Sequence, residues 1–449
     1  MAILQQTIST AGSTAGAGPV PAASQHRVLG VTCGVHALHD GYTDLIYVLL
    51  PIWQTEFALS YAALGALRML YTGAMAGLQV PATLLARRFG AVTVLTLGTA
   101  VAACAYLTIG ITGAGFVVLA AALLAGGAGS STQHPLASAL LARAYDGPRG
   151  RSALGMYNFA GDLGKMALPA TVAWLLVVMP WRHALGLIGV LGLAVAAGIL
   201  LLLPRSTGRT VAPVTHAPAM LASGAAAPRR GAFLLLLAIG VLDSGTRMGF
   251  LAFLPFVLRG KGGTTATIGL ALTLIFAGGA AGKLVCGLLG ARLGVLRTVL
   301  LTEVATALGI FALAPLPLVG ALACLPLIGV ALNGTSSVLY GTVPELVTAA
   351  RRERAFGLFY TGTIGGGAVA PVLYGLVGDA IGPAHAIMVV ALVCLATLPL
   401  AWALNPSLRV GGSGGGVGTE ADRTPPPAPL PQGEGERQVA TQLSSSVSQ

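Results

Sequence analysis

Apolar residues run along this chain in stretches of about 20, the length an α-helix needs to cross roughly 30 Å of hydrocarbon at 1.5 Å per residue. Twelve such stretches begin near residues 28, 62, 92, 114, 152, 183, 232, 264, 296, 316, 356 and 384. The third and fourth nearly touch at Gly113, and the ninth meets the tenth across Pro315 to Pro317. Residues 1–27 are rich in Ala, Ser, Thr, Gly and Gln and lack the charged start of a secretory signal. They read as a disordered cytoplasmic lead-in. Residues 204–231, with Arg205, Arg209, Arg229 and Arg230 among Pro, Ala and Gly, form the longest break and are expected to be a cytoplasmic linker. Residues 405–449, rich in Gly, Pro and Ser, read as a disordered cytoplasmic tail. The pattern predicts an all-α membrane protein with twelve transmembrane helices in two six-helix bundles, residues 28–203 and 232–404.

Composition narrows the class further. The 449 residues are 55% hydrophobic and 9% charged, against about 25% charged in soluble domains, which excludes a soluble multidomain enzyme. A net charge of +11 would also suit a nucleic-acid binder, so the placement of the charge decides. With the N-terminus inside, 18 of the 25 Lys and Arg fall on the cytoplasmic side, four fall within the membrane, and Arg182, Arg259 and Lys261 fall opposite. That asymmetry orients the chain with both termini cytoplasmic and sets its basic residues beside anionic lipid, with no nucleic-acid partner. Cys33, Cys104, Cys286, Cys324 and Cys394 lie in apolar stretches without ligand spacing, so neither a disulfide framework nor a metal site is indicated. Glycine runs such as Gly365-Gly366-Gly367 are not followed by Lys and Ser or Thr, and no loop holds a zinc-binding His pair, a nucleophile elbow or paired carboxylates. An enzyme and a nucleotide-driven pump are not expected, and neither is a cofactor; the energy source would be the proton-motive force.

The two halves echo each other. Asp40-Gly41-Tyr42-Thr43-Asp44 followed by Pro51 matches Asp243-Ser244-Gly245-Thr246-Arg247 followed by Pro255. Gly155 precedes Pro169 as Gly357 precedes Pro371, and Arg87-Arg88-Phe89-Gly90 matches Ala291-Arg292-Leu293-Gly294. Four landmarks in one order describe a duplicated six-helix unit.

Twelve helices, a six-plus-six repeat and a basic, Gly-containing turn after the second and eighth helices resemble the major facilitator superfamily. Arg87 and Ala291 stand where its loop pattern has an acid. Arg87, Arg88 and Arg292 are the gating-loop candidates that the resemblance implies. Three stretches resemble the fosmidomycin-resistance transporters within it: His36-x-x-x-Asp40 with Pro51-x-x-Gln54-x-Glu56-Phe57-x-Leu59; Gly127-x-Gly129-Ser130-Ser131-x-x-His134-Pro135-x-x-Ser138; and Tyr157-Asn158-x-x-Gly161-Asp162-x-Gly164 with Pro169. Leu168 takes the place of that family's Gly before the proline. The resemblance implies proton-driven export of a small molecule or drug through a bacterial inner membrane, with the protein working as a monomer in the lipid bilayer.

Five acids (Asp40, Asp44, Asp162, Asp243, Glu303) and four bases (Arg68, Lys165, Arg247, Lys283) fall at membrane depth. At about 2.5 to 3.5 kcal/mol each near a helix centre, nine unpaired charges would cost on the order of 22 to 32 kcal/mol. That exceeds the whole stability of a typical domain, so these groups must face water or one another. In the first helix His36, Asp40, Asp44 and Tyr47 share one stripe, because successive residues turn by about 100°. Two carboxylates one turn apart in a dry site are costly when both are ionised, so Asp40 and Asp44 are proton-coupling candidates, with His36 and His134 as relays. Bracing against Arg68 or Arg247 is the alternative role for those acids. His39 lies off the stripe. Pro135 is expected to bend the fourth helix.

Asn158, Asp162 and Lys165 lie on one face of the fifth helix, as a permanent ion pair or as a substrate site with Tyr47. Asp243 and Arg247 form an i, i+4 pair, with Arg247 available to an anion. Four buried bases favour a small anion, a phosphonate or carboxylate, over a large cation. The leading expectation is proton-coupled efflux by alternating access. Proton-coupled uptake of an organic anion is the alternative, and a membrane sensor or scaffold that has lost transport is the lesser one.

Overall fold

The computed structural model describes residues 22–111, 115–145, 147–203, 230–348 and 351–412. The described residues form helices and no strand. The first half comprises α1 (Ala22–Phe57), α2 (Tyr61–Gly77) with α3 (Gln79–Phe89), α4 (Ala91–Ile111), α5 (Phe116–Ser130) with α6 (Gln133–Ala144), α7 (Gly147–Val178) and α8 (Trp181–Leu202). The second half comprises α9 (Arg230–Gly260), α10 (Thr265–Leu293), α11 (Val295–Leu313), α12 (Leu318–Thr342), α13 (Arg352–Ile381) and α14 (Pro383–Leu395) with α15 (Thr397–Gly412). Ten spans are apolar and long enough to cross a membrane, and the bent pair α2–α3 makes an eleventh. α1, with its polar stripe, is a further long helix, so the described residues approach the twelve spans expected.

Helix bounds agree with the apolar runs except where local chemistry intervenes. The first helix begins at Ala22, before the apolar run, and the last continues to Gly412. Of the expected lead-in (1–27), linker (204–231) and tail (405–449), residues 1–21, 204–229 and 413–449 lie outside the described residues. The second span is broken by 45° after Gly77, where one continuous helix was expected. Pro81 sits in the first turn of α3, and its ring and missing N–H disrupt the ladder at the carbonyl four residues back. The fourth span breaks at Ser131 and Thr132, and Pro135 falls in the first turn of α6, where a missing N–H is harmless.

The repeat is visible in three dimensions. Proline lies inside α1 and α9 (Pro51, Pro255) and inside α7 and α13 (Pro169, Pro371). Gly90 and Gly294 end α3 and α10 at φ of 88° and 79°, a left-handed conformation that glycine adopts without steric penalty.

The halves meet along two related seams. On one, Gly65 of α2 faces the Pro371 carbonyl of α13; on the other, Gly269 of α10 faces Ala173 of α7. At the end remote from α1's N-terminus the seams are sealed by polar and aromatic contacts. Asp379 accepts the backbone N–H groups of Tyr61 and Ala62 at 2.6 and 3.1 Å, and Arg259 donates to the Pro51 carbonyl at 3.0 Å. The Tyr61 ring packs on Phe253 and Phe256. Leu45, Ile46, Val48, Leu49 and Leu50 are almost fully buried, so α1 is apolar all round at that level and occupies the core.

Candidate functional site

Between the halves lies a cavity of about 250 Å³. From the first half it is lined by Asp40, Asp44, Arg68, His134 and Lys165; from the second by Asp243, Arg247, Tyr340, Tyr360 and Thr363. Charges scattered over five spans thus converge on one volume, which is how they escape contact with lipid.

Asp40 is the hub of the first half. Its Oδ2 lies 3.2 Å from Lys165 Nζ and 3.3 Å from His36 Nε2, and its Oδ1 lies 3.6 Å from His134 Nε2. His36 is held from behind, with Nδ1 2.8 Å from the Tyr157 carbonyl and its ring 4.0 Å from the Tyr157 ring. A carbonyl only accepts, so Nδ1 carries the hydrogen. In the neutral imidazole Nε2 is then a lone pair pointing at a carboxyl oxygen, an arrangement that is favourable only with a proton between the two groups.

Asp44 is compensated separately. Arg68 Nη2 lies 3.5 Å from its Oδ1 and donates to Tyr47 Oη at 3.1 Å. The guanidinium stacks 4.7 Å from the Tyr47 ring centroid. The two acids of the α1 stripe therefore have different partners, and their mutual repulsion is not what defines the site. Arg68 is 1% exposed, yet its Nε and Nη1 have no hydrogen-bond partner.

Asp162 departs from expectation. It sits 3.8 Å from Lys165 on its own helix but 2.6 and 2.7 Å from Lys283 Nζ on α10. The tight pair crosses between the halves, and Lys165 bridges Asp162 to Asp40. In the second half Asp243 and Arg247, one turn apart on α9, both line the cavity.

Several expected residues take other places. His36 and Tyr47 are buried behind the cavity wall. Asn158 is exposed and is not among the lining residues. Arg87, Arg88 and Arg292 are exposed at the ends of α3 and α10, away from the cavity, and Arg88 stacks on Phe89. His39 is a packing residue, its ring 3.0 Å from both Ser130 Oγ and Thr99 Oγ1. The neutral lining groups Tyr340, Tyr360 and Thr363 carry no sequence signal beyond being polar among apolar neighbours. Tyr340 Oη and Thr363 Oγ1 are 3.1 Å apart.

Among the described residues, one trio has metal-ligand atoms within 4.8 Å of one another: His36, Asp40 and His134. The Lys165 ammonium beside Asp40 already supplies a positive charge there, which opposes a second cation. The arrangement suits a proton better than a metal ion.

A family model described as Major Facilitator Superfamily matches residues 32–257 and 235–441. The chain belongs to the major facilitator superfamily. It is a multi-pass membrane protein. It is 28% identical over 182 residues to the fosmidomycin resistance protein of Escherichia coli (strain K12), a match that spans 40% of this chain and 43% of that relative. In fold it resembles a bacterial homologue of the human lysosomal transporter Spinster, in an inward-facing and unoccupied conformation, with a TM-score of 0.68 and 14% identity over 87% of this chain and 99% of that one. The human organic anion transporter MFSD10 (TETRAN) gives a TM-score of 0.56 and 16% identity over 85% of this chain and 100% of that one.

Proposed function

We propose that this superfamily member moves a small organic anion and a proton together through the central cavity. The observation that carries this reading is the placement of Lys165 Nζ 3.2 Å from Asp40 Oδ2, on the cavity wall. A proton on Asp40 removes the carboxylate's hold on the ammonium and frees a cation for the substrate. Conversely, an anion on Lys165 leaves Asp40 without its counter-charge and favours its protonation. Proton and anion then assist each other's binding, which is cotransport. His36 and His134 sit where they can pass the proton to Asp40. Arg68 and Arg247 supply further donors, and the aromatic content of 6% speaks against a cage for polyaromatic cations.

A monovalent anion moving with one proton carries no net charge, so the membrane potential cancels and one pH unit supplies roughly 1.4 kcal/mol. That sustains a gradient of about tenfold. With basic loops cytoplasmic, the seal at Asp379 lies on the outer side and the cavity serves the cytoplasmic face. Cotransport down the usual proton gradient then means uptake.

Export is the second reading, favoured by the partial similarity to a fosmidomycin resistance protein. It requires proton and substrate to exclude each other in the cavity. Proteoliposomes with an imposed pH gradient, offered phosphonates, carboxylates and cationic drugs in turn, separate the two. Accumulation of anions in an alkaline lumen supports cotransport; accumulation in an acidic lumen supports exchange. Preference for cations would remove the anion reading.

A further inference from the structure

A second cavity, of about 360 Å³, lies between α1 and α8. Arg27, Gly30 and Gly34 line it from α1, and Val195, Gly198 and Leu202 line it from α8. Each set is spaced by three and then four residues, so each is one face of its helix. Gly34 and Asp40, six residues apart, point roughly 120° apart. The groove therefore looks away from the central cavity, and Gly30, Gly34 and Leu202 are exposed on the outside of the bundle. We propose that this groove seats one anionic phospholipid, with its phosphate on Arg27 and an acyl chain between the two helices.

Packing explains why the slot exists. The helices touch further in, where the Tyr42 hydroxyl donates to the Ile188 carbonyl at 2.9 Å and lies against Gly192. Towards the start of α1 no such contact is made, and a Cβ on Gly30, Gly34 or Gly198 would meet nothing within 4 Å. The slot is apolar apart from Arg27 and runs along α1 as far as Val35. Those eight residues rise about 12 Å at 1.5 Å each. That depth lies within one leaflet, half of a hydrocarbon core of about 30 Å. Polarity and depth both suit an acyl chain.

Charge selects the headgroup. Arg27 is the one charged residue of the lining. It is exposed and makes no ion pair among the described residues. A guanidinium offers a fork of donors that matches phosphate, and basic pockets between transmembrane helices hold anionic headgroups in this way. A zwitterionic lipid brings its own cation beside Arg27 and loses part of that attraction. A soluble anion gains from Arg27 but leaves the slot empty.

Native mass spectrometry of the purified full-length protein, offered phosphatidylglycerol or phosphatidylcholine with the same acyl chains, tests the proposal. Wild type should retain one tightly held phosphatidylglycerol, preferred about fivefold over phosphatidylcholine, the effect of one basic residue on an anionic headgroup. Arg27→Gln should lose that preference. Gly34→Leu should fill the slot and lose the retained molecule of either lipid; the open space beside Gly34 accepts the leucine. Should one variant fail to fold, the other decides. Arg297→Gln, in the first turn of α11 in the other half, should keep the preference, which separates this site from a general attraction to basic surface. Equal retention of the two lipids by wild type overturns the proposal. So does a preference that survives Arg27→Gln or is lost in Arg297→Gln, and so does retention that survives Gly34→Leu. A wild-type dimer that Gly34→Leu dissolves also overturns it, since the slot then belongs to a second copy of the chain. None of these outcomes depends on the cotransport reading.

Discussion

Lys283 on α10 places its Nζ 2.6 and 2.7 Å from the two carboxylate oxygens of Asp162 on α7, joining the two bundles by a bidentate ion pair across their seam. Asp162 is largely buried and Lys283 is partly open to solvent. Rocking of one half against the other must stretch or break this pair. Removing one partner should destabilise the protein by about 1 to 3 kcal/mol, below the figure for a fully dry pair because water reaches the lysine. The double variant Asp162→Asn with Lys283→Met should recover most of that loss, since no orphaned charge remains. Thermal unfolding of the two single variants and the double variant measures the coupling. Simple additivity would mean that the two residues do not act as a pair.

A second contact between the halves involves no ion pair. Asp379 of α13 accepts the first two backbone N–H groups of α2, and Ser60 caps the next through Ala63. The opposite bundle therefore completes a helix N-terminus, at the positive end of its dipole. Asp379→Ala should weaken this closure by about 0.5 to 2 kcal/mol. The readout is labelling of a Leu64→Cys probe, buried one turn into α2, by a membrane-impermeant thiol reagent in intact cells. Labelling should rise roughly 2- to 30-fold, the same energy expressed as a population shift. An unchanged rate would mean that Asp379 does not hold the seal.

Arg247 lies on the cavity wall one turn from Asp243. Arg247→Gln keeps length and polarity but not charge. It should raise the KM for anionic substrates about tenfold, the loss of one charge-assisted hydrogen bond of roughly 1.4 kcal/mol. Transport of a neutral analogue should change little. Equal impairment of both classes would assign Arg247 a structural role.

His36 offers a narrower test. Its Nδ1 bond to the Tyr157 carbonyl fixes the tautomer that faces Asp40. His36→Gln preserves a donor to that carbonyl and cannot accept a proton. Downhill anion flux should persist, while its response to an imposed pH gradient weakens. A response identical to wild type would leave His36 outside the proton path.

Much of this architecture was legible in the chain. The apolar runs gave the spans, and the landmarks Pro51 and Pro255, Gly90 and Gly294 mark the same bends and turns in both halves. Asp40 and Asp44 of the α1 stripe do line the shared cavity, with His36 and Tyr47 behind its wall. Periodicity reports which residues share a helix face, and says nothing of which helix lies opposite. Asp162 therefore read as the partner of Lys165, three residues away, when its tighter partner Lys283 lies 121 residues distant. Asn158 shares a face with Asp162 yet stays outside the cavity lining, because a helical face is wider than the arc that borders the cavity. Tyr340 and Thr363 gave no signal, since a neutral polar residue at membrane depth costs too little to demand a partner in advance.

The central claim is that a proton on Asp40 frees Lys165 for an anion, so that both move together. Initial rates of organic-anion entry into proteoliposomes, with lumen alkaline or acidic and protein-free vesicles as baseline, test it most directly when wild type is compared with Asp40→Asn. The account predicts accumulation by wild type into an alkaline lumen, collapse of that accumulation on adding an uncoupler, and downhill flux without gradient response in Asp40→Asn. Accumulation into an acidic lumen, or a full gradient response in Asp40→Asn, would contradict it.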